Sequence, residues 1–172
     1  MRFPVTRSCV TALTAVSATA ALLAAAPPSD AAAGSCPEKS LTVRARASSA
    51  DPSVVRMSVT NRGRSACTVD LVPTVVFRDL DGAALPTPDR RGGTYRLGAG
   101  ATAHAAVRTI VDPKDPEARR TDMLIVAADP SHRGSPFTAH GLGTGDTIRV
   151  WEPVTTWWQP TAAAADRALG NG

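Results

Sequence analysis

The chain has 172 residues, a formal net charge of +4, 20% charged residues and 4% aromatic residues. This length corresponds to one domain. The basic excess is small, the arginines are scattered among aspartates, and no basic run is interleaved with aromatics, so we expect no nucleic-acid-binding function.

The first thirty-three residues have the features of a secretory signal peptide. Arg2 and Arg7 give a basic start, residues 9–26 are apolar or small and uncharged, and a small-x-small site ends at Ala33. We predict cleavage after Ala33 and a secreted or cell-envelope-associated mature chain without a membrane span. One alternative is a transmembrane anchor, although the run is short and weakly apolar. Another is lipid attachment at Cys36, for which Ala33 is a poor match.

After cleavage, Cys36 and Cys67 are the two remaining cysteines. Cysteines of exported proteins pair in an oxidising compartment, and two cysteines allow a single pairing. A Cys36–Cys67 bridge would close a loop of about 32 residues and stabilise the fold by roughly 3.7 kcal/mol. The alternative is a redox pair or a metal site, but redox pairs usually lie two residues apart and zinc takes four ligands.

A period of two predicts strands from the start of the mature chain. Residues 41–47 and 55–60 place apolar or small side chains on one face. The outward-facing side chains are Thr42, Arg44, Arg46, Arg56, Ser58 and Thr60. Turns are predicted at Asn61-Arg62-Gly63 and at Asp81-Gly82, where glycine accepts the positive φ of a tight turn.

The remaining elements are also predicted to be short strands. One covers residues 67–78, where Pro73 marks a bulge, a crossing point or an edge, because proline has no N–H to donate. Others are predicted at residues 95–97, 102–111, 123–127 and 147–158, with a mobile loop over 130–145. We therefore predict an all-β fold, an antiparallel immunoglobulin-like β-sandwich of seven to eight strands over residues 34–160. It would follow the signal peptide and precede a flexible C-terminal tail, residues 161–172, that is frayed or forms one weak helix.

Several motifs occur in a recognisable order. Thr60-Asn61-x-Gly63, Ala66-Cys67-Thr68-Val69 and Pro73-x-Val75-x-Phe77-x-Asp79-x-x-Gly82 come first, followed by Leu97-x-x-Gly100-x-x-Ala103, Leu124-Ile125-Val126 and Asp129-Pro130. Over about residues 36–154, this arrangement resembles a secreted bacterial family, domain of unknown function 4232. The resemblance implies an immunoglobulin-like fold and export, and it carries over no catalytic residue. The chain departs from the family pattern at residues 70–72 and in having no cysteine after Cys67.

The histidines His104, His132 and His140 are the candidates for chemistry. His132 and His140 share the loop over residues 130–145, but their spacing matches no metal-ligand frame, and no nucleophile elbow surrounds the serines of this loop. We therefore expect solvated histidines, no cofactor and no enzymatic activity. A small secreted hydrolase or metal-dependent enzyme that uses this loop is the alternative. A further alternative is an extracellular protease inhibitor that presents it.

The three tryptophans, Trp151, Trp157 and Trp158, lie close together in the sequence. In an extended segment Trp157 and Trp158 point to opposite faces, so only one of them can enter the core. We predict a binding surface at Trp157 and Trp158, and the alternative is that they close the base of the sandwich. The predicted function is an exported non-catalytic module that binds a protein or a cell-envelope component.

Overall fold

The computed structural model describes residues 33–89 and 92–170. The predicted signal peptide, residues 1–33, lies outside the described residues except for Ala33. Among the described residues, no helix is both long enough and apolar enough to cross a membrane.

Twelve short strands dominate the described part of the chain. They are β1 Leu41–Ala47, β2 Val54–Asn61, β3 Cys67–Asp70, β4 Thr74–Phe77, β5 Leu85–Thr87, β6 Thr94–Leu97, β7 Thr102–Arg108, β8 Arg119–Thr121, β9 Met123–Ala127, β10 Ser135–Thr138, β11 Ile148–Val150 and β12 Val154–Thr156. The helices are a 3-10 turn Glu38–Ser40, α1 Ala139–Leu142 and α2 Ala162–Gly170.

The strands form one sheet of five, one of three and two separate pairs. The five-stranded sheet has the order β1-β2-β7-β12-β5 and the three-stranded sheet the order β10-β9-β4, while β11 pairs with β8 and β3 with β6. The pairings are antiparallel except that of β12 with β5, which is parallel. The predicted all-β class is confirmed, and the immunoglobulin-like topology stays a prediction.

The strands are shorter and more numerous than the predicted seven or eight. The predicted strand over residues 67–78 is in fact two strands, since β3 pairs with β6 while β4 pairs with β9 in another sheet. Pro73 lies between them and cannot donate to a strand ladder. Of the three roles considered for Pro73, the structure therefore shows the crossing point.

The main core contains alternate side chains of β2 and β7 together with side chains of the three-stranded sheet. From β2 and β7 it contains Val55, Met57, Val59, Ala103, Ala105 and Val107, and from β4 and β9 it contains Val75, Phe77, Leu124 and Val126. Because successive residues of a strand point to opposite faces, the intervening residues of β2 and β7 lie on the outer face of the five-stranded sheet. This outer face carries mainly polar and charged side chains.

Buried Asn61 explains the first predicted turn. Its Oδ1 accepts a hydrogen bond from the Gly63 N–H at 2.8 Å, and its Nδ2 donates to the carbonyl oxygens of Ser65 at 2.8 Å and Gly98 at 3.1 Å. A Cβ on Gly63 would lie 2.9 Å from Asn61 Oδ1. The Asn-x-Gly spacing therefore leaves room for an asparagine that links two neighbouring turns.

The second predicted turn also forms. Gly82 has a φ of 92°, which glycine adopts without steric cost, and the Ala84 N–H donates to the Val75 carbonyl at 2.9 Å across the turn. The chain then enters β5 at the far edge of the five-stranded sheet.

Residues 161–172 were expected to be a frayed, flexible tail or one weak helix, and as far as Gly170 the structure shows the helix, α2. A second apolar cluster on the outer side of the five-stranded sheet consists of Val54, Ala106, Ala165 and Leu169, with Val154 packed against it. A helix of nine residues is marginal on its own. Contact with the sheet supplies the stabilisation that its sequence lacks.

The expectation of a mobile loop over residues 130–145 is also wrong. The segment contains β10, which pairs with β9, and the short helix α1. Ala139 and Leu142 are buried in the main core and Phe137 packs against it. The few apolar side chains of a Gly- and Ser-rich segment are therefore sufficient to hold it against the sandwich.

Candidate binding surface

The outer face of the five-stranded sheet arranges side chains from β1, β2 and β7 in three rows across the strands. The rows are Thr42–Thr60–Thr102, Arg44–Ser58–His104 and Arg46–Arg56–Ala106. In the first row, the Thr60 and Thr102 hydroxyls are hydrogen-bonded at 2.8 Å. Thr42 accepts a hydrogen bond from Arg62 Nε at 3.3 Å.

The arginines of the second and third rows make this face cationic. Arg46 and Arg56 are directly opposite each other on neighbouring strands, a placement that destabilises a sheet when the charges are alike. Asp166 of α2 partly offsets this repulsion, because its Oδ1 lies 2.9 Å from Arg56 Nε and raises the pKa of Arg56. Arg44 and Arg46 are exposed and make no ion pair with any residue of 33–89 or 92–170.

A groove of about 470 Å³ runs beside these arginines. It is lined by Arg44, Ala45, Arg46, Arg56, Met57, Ser58, His104, Phe137 and Gly141. The groove therefore combines positive charge from the sheet face with an apolar ring from β10. An acidic ligand that also carries apolar groups matches this combination of charge and apolar surface.

Sequence reasoning placed Arg44, Arg46 and Arg56 on outward faces but treated the arginines of the chain as scattered. The structure corrects that view, because the register of β1 on β2 gathers these three on one surface. The available signal was the pair of arginines at alternate positions of β1 together with one outward-facing arginine on β2. This signal does not show that the three arginines lie together, because the alternation of side chains does not specify the register of the strands.

The predicted surface at Trp157 and Trp158 does not form. Trp158 is 2% exposed and lies in the main core, so it cannot contact a ligand. Trp157 is half-buried, and its indole Nε1 donates to the Pro88 carbonyl at 3.0 Å. The expectation that only one of the two enters the core is confirmed. A chain with few large side chains uses Trp158 to fill its interior.

The structure ties His132 to the N-terminal segment. His132 Nε2 lies 3.1 Å from the Cys36 carbonyl oxygen. Beside it, the Glu38 carboxylate accepts hydrogen bonds from the N–H groups of Gly134 at 2.8 Å and Arg133 at 3.2 Å. These two backbone donors lower the pKa of Glu38.

The other histidines lie elsewhere in the fold. His140 is exposed on α1, and His104 lies on the outer face of β7. Within the described ranges, no three side chains of His, Cys, Asp or Glu are grouped so that they could hold a metal ion.

Cys36 and Cys67 form the predicted disulfide. Both half-cystines are buried in the main core. The Cys36 N–H also donates to the Thr68 carbonyl at 2.8 Å, and the Thr68 N–H donates to the Gly34 carbonyl at 2.9 Å. The bridge and these hydrogen bonds hold the segment before β1 against β3.

A second cavity, of about 370 Å³, lies at the end of β7 and β11. It is lined by Asp51, Pro52, Ser53, Thr109, Ile110, Pro113, Thr144, Thr147, Ile148 and Arg149. Most of its polar groups are engaged within the protein: Asp51 accepts from the Ser53 hydroxyl at 2.6 Å, and Thr109 Oγ1 donates to the Ser53 carbonyl at 3.2 Å. Among the described residues, Arg149 Nε is buried without a hydrogen-bond partner. A single donor carries less recognition chemistry than the row of arginines.

Comparison with models of protein families identifies the family of this chain. Residues 36–158 match the family model of a domain of unknown function, DUF4232. The chain belongs to this family. The match covers β1 to β12 and the disulfide, and it ends before helix α2, which packs on the DUF4232 sandwich. No curated protein and no solved structure matches the chain.

Proposed function

We propose that this DUF4232 protein is an exported, non-catalytic module whose outer sheet face binds a protein or a cell-envelope component. The observation that carries the proposal is the cationic cluster of Arg44, Arg46 and Arg56, two of which have no acidic partner among the described residues. Within the isolated fold, like charges on facing strands reduce stability. An acidic ligand on this face turns the same arrangement into a source of binding free energy and of fast association.

Two features support export. The Cys36–Cys67 disulfide is a kind of bond that persists in oxidising compartments and is rare in reducing ones. The basic start, apolar run and small-residue site of residues 1–33 are those of a secretory signal.

The positions of the histidines support a non-catalytic role. A hydrolase or metal-dependent enzyme based on His132 and His140 would need both side chains to converge on one substrate. Instead, His132 contacts the Cys36 backbone while His140 is exposed on α1. A protease inhibitor is less well supported, because β10 and α1 pack against the sandwich and do not form the long free loop that an inhibitor would present.

The proposal is tested with the mature protein beginning at Gly34. Parent protein, Arg44→Glu/Arg46→Glu and the control Arg119→Glu/Arg120→Glu would each be incubated with isolated cell envelopes and with immobilised culture-medium proteins of the source organism. The two variants change the net charge equally, and Arg119 and Arg120 are exposed on β8. We expect parent and control to be retained by one of the two fractions and the β1 variant to be lost from it. Equal retention of all three proteins, or retention of none, would contradict the proposal.

A further inference from the structure

Strand β1 has a free backbone edge. The residues that flank β1 show which backbone groups face β2. The Ser48 N–H donates to the Val54 carbonyl and the Ser40 carbonyl accepts from the Arg62 N–H, both at 2.7 Å, so the even-numbered residues bond towards β2. In an antiparallel ladder, the alternate residues direct N–H and C=O the other way. The backbone groups of Val43, Ala45 and Ala47 therefore point away from β2. No strand among residues 33–89 and 92–170 pairs with this edge.

The free edge lies beside the groove of the candidate surface. Ala45 lines that groove together with Phe137 and Gly141, and Arg44 and Arg46 line it from the outer face. Ala45 is half-buried, and helix α1 and strand β10 pack beside β1 at this point. A ligand along this edge would have two arginines on one side and the ring of Phe137 on the other.

We propose that the free edge of β1 binds an extended acidic polypeptide segment as an added strand. This inference rests on the proposed function and names the chemistry of its ligand. The backbone groups of Val43, Ala45 and Ala47 supply the main-chain hydrogen bonds of strand addition. Acidic side chains at alternate positions of the guest strand pair with Arg44 and Arg46, and the small apolar side chains between them face Phe137.

A second copy of the chain is a poorer occupant of this edge. Two β1 strands paired antiparallel about Ala45 would place Arg44 of each copy opposite Arg46 of the other, and like charges in facing positions destabilise the pair. Charged residues on an edge strand often serve only to prevent such pairing. That role does not account for Arg56, which lies on the inner neighbour β2 and extends the positive surface beyond the edge.

The test uses capped seven-residue peptides as probes of the mature protein. The first alternates Glu and Val, and the second alternates Lys and Val. Two more repeat the Glu/Val sequence with N-methyl groups on the Glu amides or on the Val amides. An added strand directs one set of its N–H groups to β1 and the other to solvent. We expect one methylated peptide to lose binding and the other to retain it, while the Lys/Val peptide does not bind.

Variants of the protein test the same contacts from the other side. Arg44→Glu/Arg46→Glu should weaken binding of the Glu/Val peptide about tenfold or more, since two exposed ion pairs become repulsive. The control Arg119→Glu/Arg120→Glu should bind like the parent. Ala45→Pro removes an N–H that does not bond to β2 and should also weaken binding. Circular dichroism checks its fold, and the methylated peptides keep the test decisive if that variant does not fold.

Four outcomes would overturn the inference. Equal binding of both methylated peptides would show recognition of charge alone, as by an anionic polymer. A further outcome is that the Glu/Val peptide fails to bind while cell envelopes or secreted proteins retain the parent and lose Arg44→Glu/Arg46→Glu. This result would refute strand addition and leave the proposed function standing. A concentration-dependent dimer that Ala45→Pro disperses would make a second copy the occupant. Failure of both the peptides and the fractions would overturn the proposed function as well.

Discussion

Asn61 is a buried polar residue whose side chain makes four hydrogen bonds with the backbone of two neighbouring turns. Asn61→Ala removes these bonds and leaves buried backbone groups near Gly98 without a side-chain partner. We expect the free energy of unfolding to fall by about 2–3 kcal/mol, measured by urea denaturation. Asn61→Asp retains the acceptor for the Gly63 N–H but replaces the Nδ2 donor with an oxygen facing carbonyls. It should be at least as destabilised, and parent-like stability of either variant would contradict this account.

Glu38 makes the stability of the protein depend on pH. The N–H groups of Gly134 and Arg133 hold the pKa of Glu38 below its ordinary value, so folding favours the ionised form. The resulting stabilisation is fully present above the ordinary glutamate value of about 4.3 and is lost as the pH falls through the lower folded-state pKa. The melting temperature of the parent should therefore decrease on acidification in this range. It should decrease less in Glu38→Gln, which keeps an acceptor oxygen but does not titrate there.

Asp129 is a second carboxylate that makes stability depend on pH, independently of Glu38. The hydroxyl and N–H of Ser131 lower the pKa of Asp129 in the same direction, so Asp129→Asn should reduce the acid dependence separately. The variant with both substitutions should show the smallest change of melting temperature with pH. If the melting temperature of Glu38→Gln depended on pH as strongly as that of the parent, the Gly134 contact would not favour the ionised carboxylate.

At the scale of elements, helix α2 depends on contact with the sheet. Leu169 is 2% exposed in the cluster with Val54 and Ala106. Leu169→Ala should lower the free energy of unfolding by roughly 2–3 kcal/mol, because it removes buried methyl groups and leaves a cavity. Arg167→Ala, on the exposed face of the same helix, should change it by less than about 0.5 kcal/mol. If Leu169→Ala and Arg167→Ala changed the free energy of unfolding equally, helix α2 would not pack against the sheet.

The elements also show how far the sequence predicts this structure. The period of two in β2, the glycine turns and the strand-breaking role of Pro73 follow from local geometry, and all are seen. The partner of each strand is not a local property: β2 pairs with β7, whose residues come more than forty positions later. The cluster of Arg44, Arg46 and Arg56 depends on the register of β1 on β2, which the alternation of side chains also leaves open. The 130–145 segment was misjudged as a mobile loop, and the sequence could not decide between a frayed tail and a helix at α2, because the order of both segments comes from apolar contacts that only the assembled sandwich provides.

At the scale of the whole molecule, the disulfide links the segment before β1 to β3. Cys36→Ala/Cys67→Ala should lower the free energy of unfolding by roughly 3.7 kcal/mol, the chain-entropy value for a loop of about 32 residues. Where it still folds in the cold, the variant should keep its β-rich circular dichroism and its binding. A variant as stable as the parent but without binding would indicate that the cysteines act in the binding site.

Processing of the chain is tested on the protein recovered from the culture medium. We expect an intact mass that begins near Gly34, with no thiol that reacts with an alkylating reagent before reduction. The physical reason is that Ala33 ends a small-residue cleavage site and that Cys36 and Cys67 are bonded to each other. A diacylglyceryl group on Cys36, or two reactive thiols in the unreduced protein, would contradict this prediction.

The burial of Trp158 determines when the sandwich can close during synthesis. Among the described residues it is the largest fully buried side chain, and it follows β12, which pairs Val154 with Leu85 of the much earlier strand β5. A chain that is delivered from its N-terminus can form the β1–β2 hairpin early, because the connection is short. The space that Trp158 fills stays open to water until that residue arrives. The core is therefore complete only after all twelve described strands have been delivered.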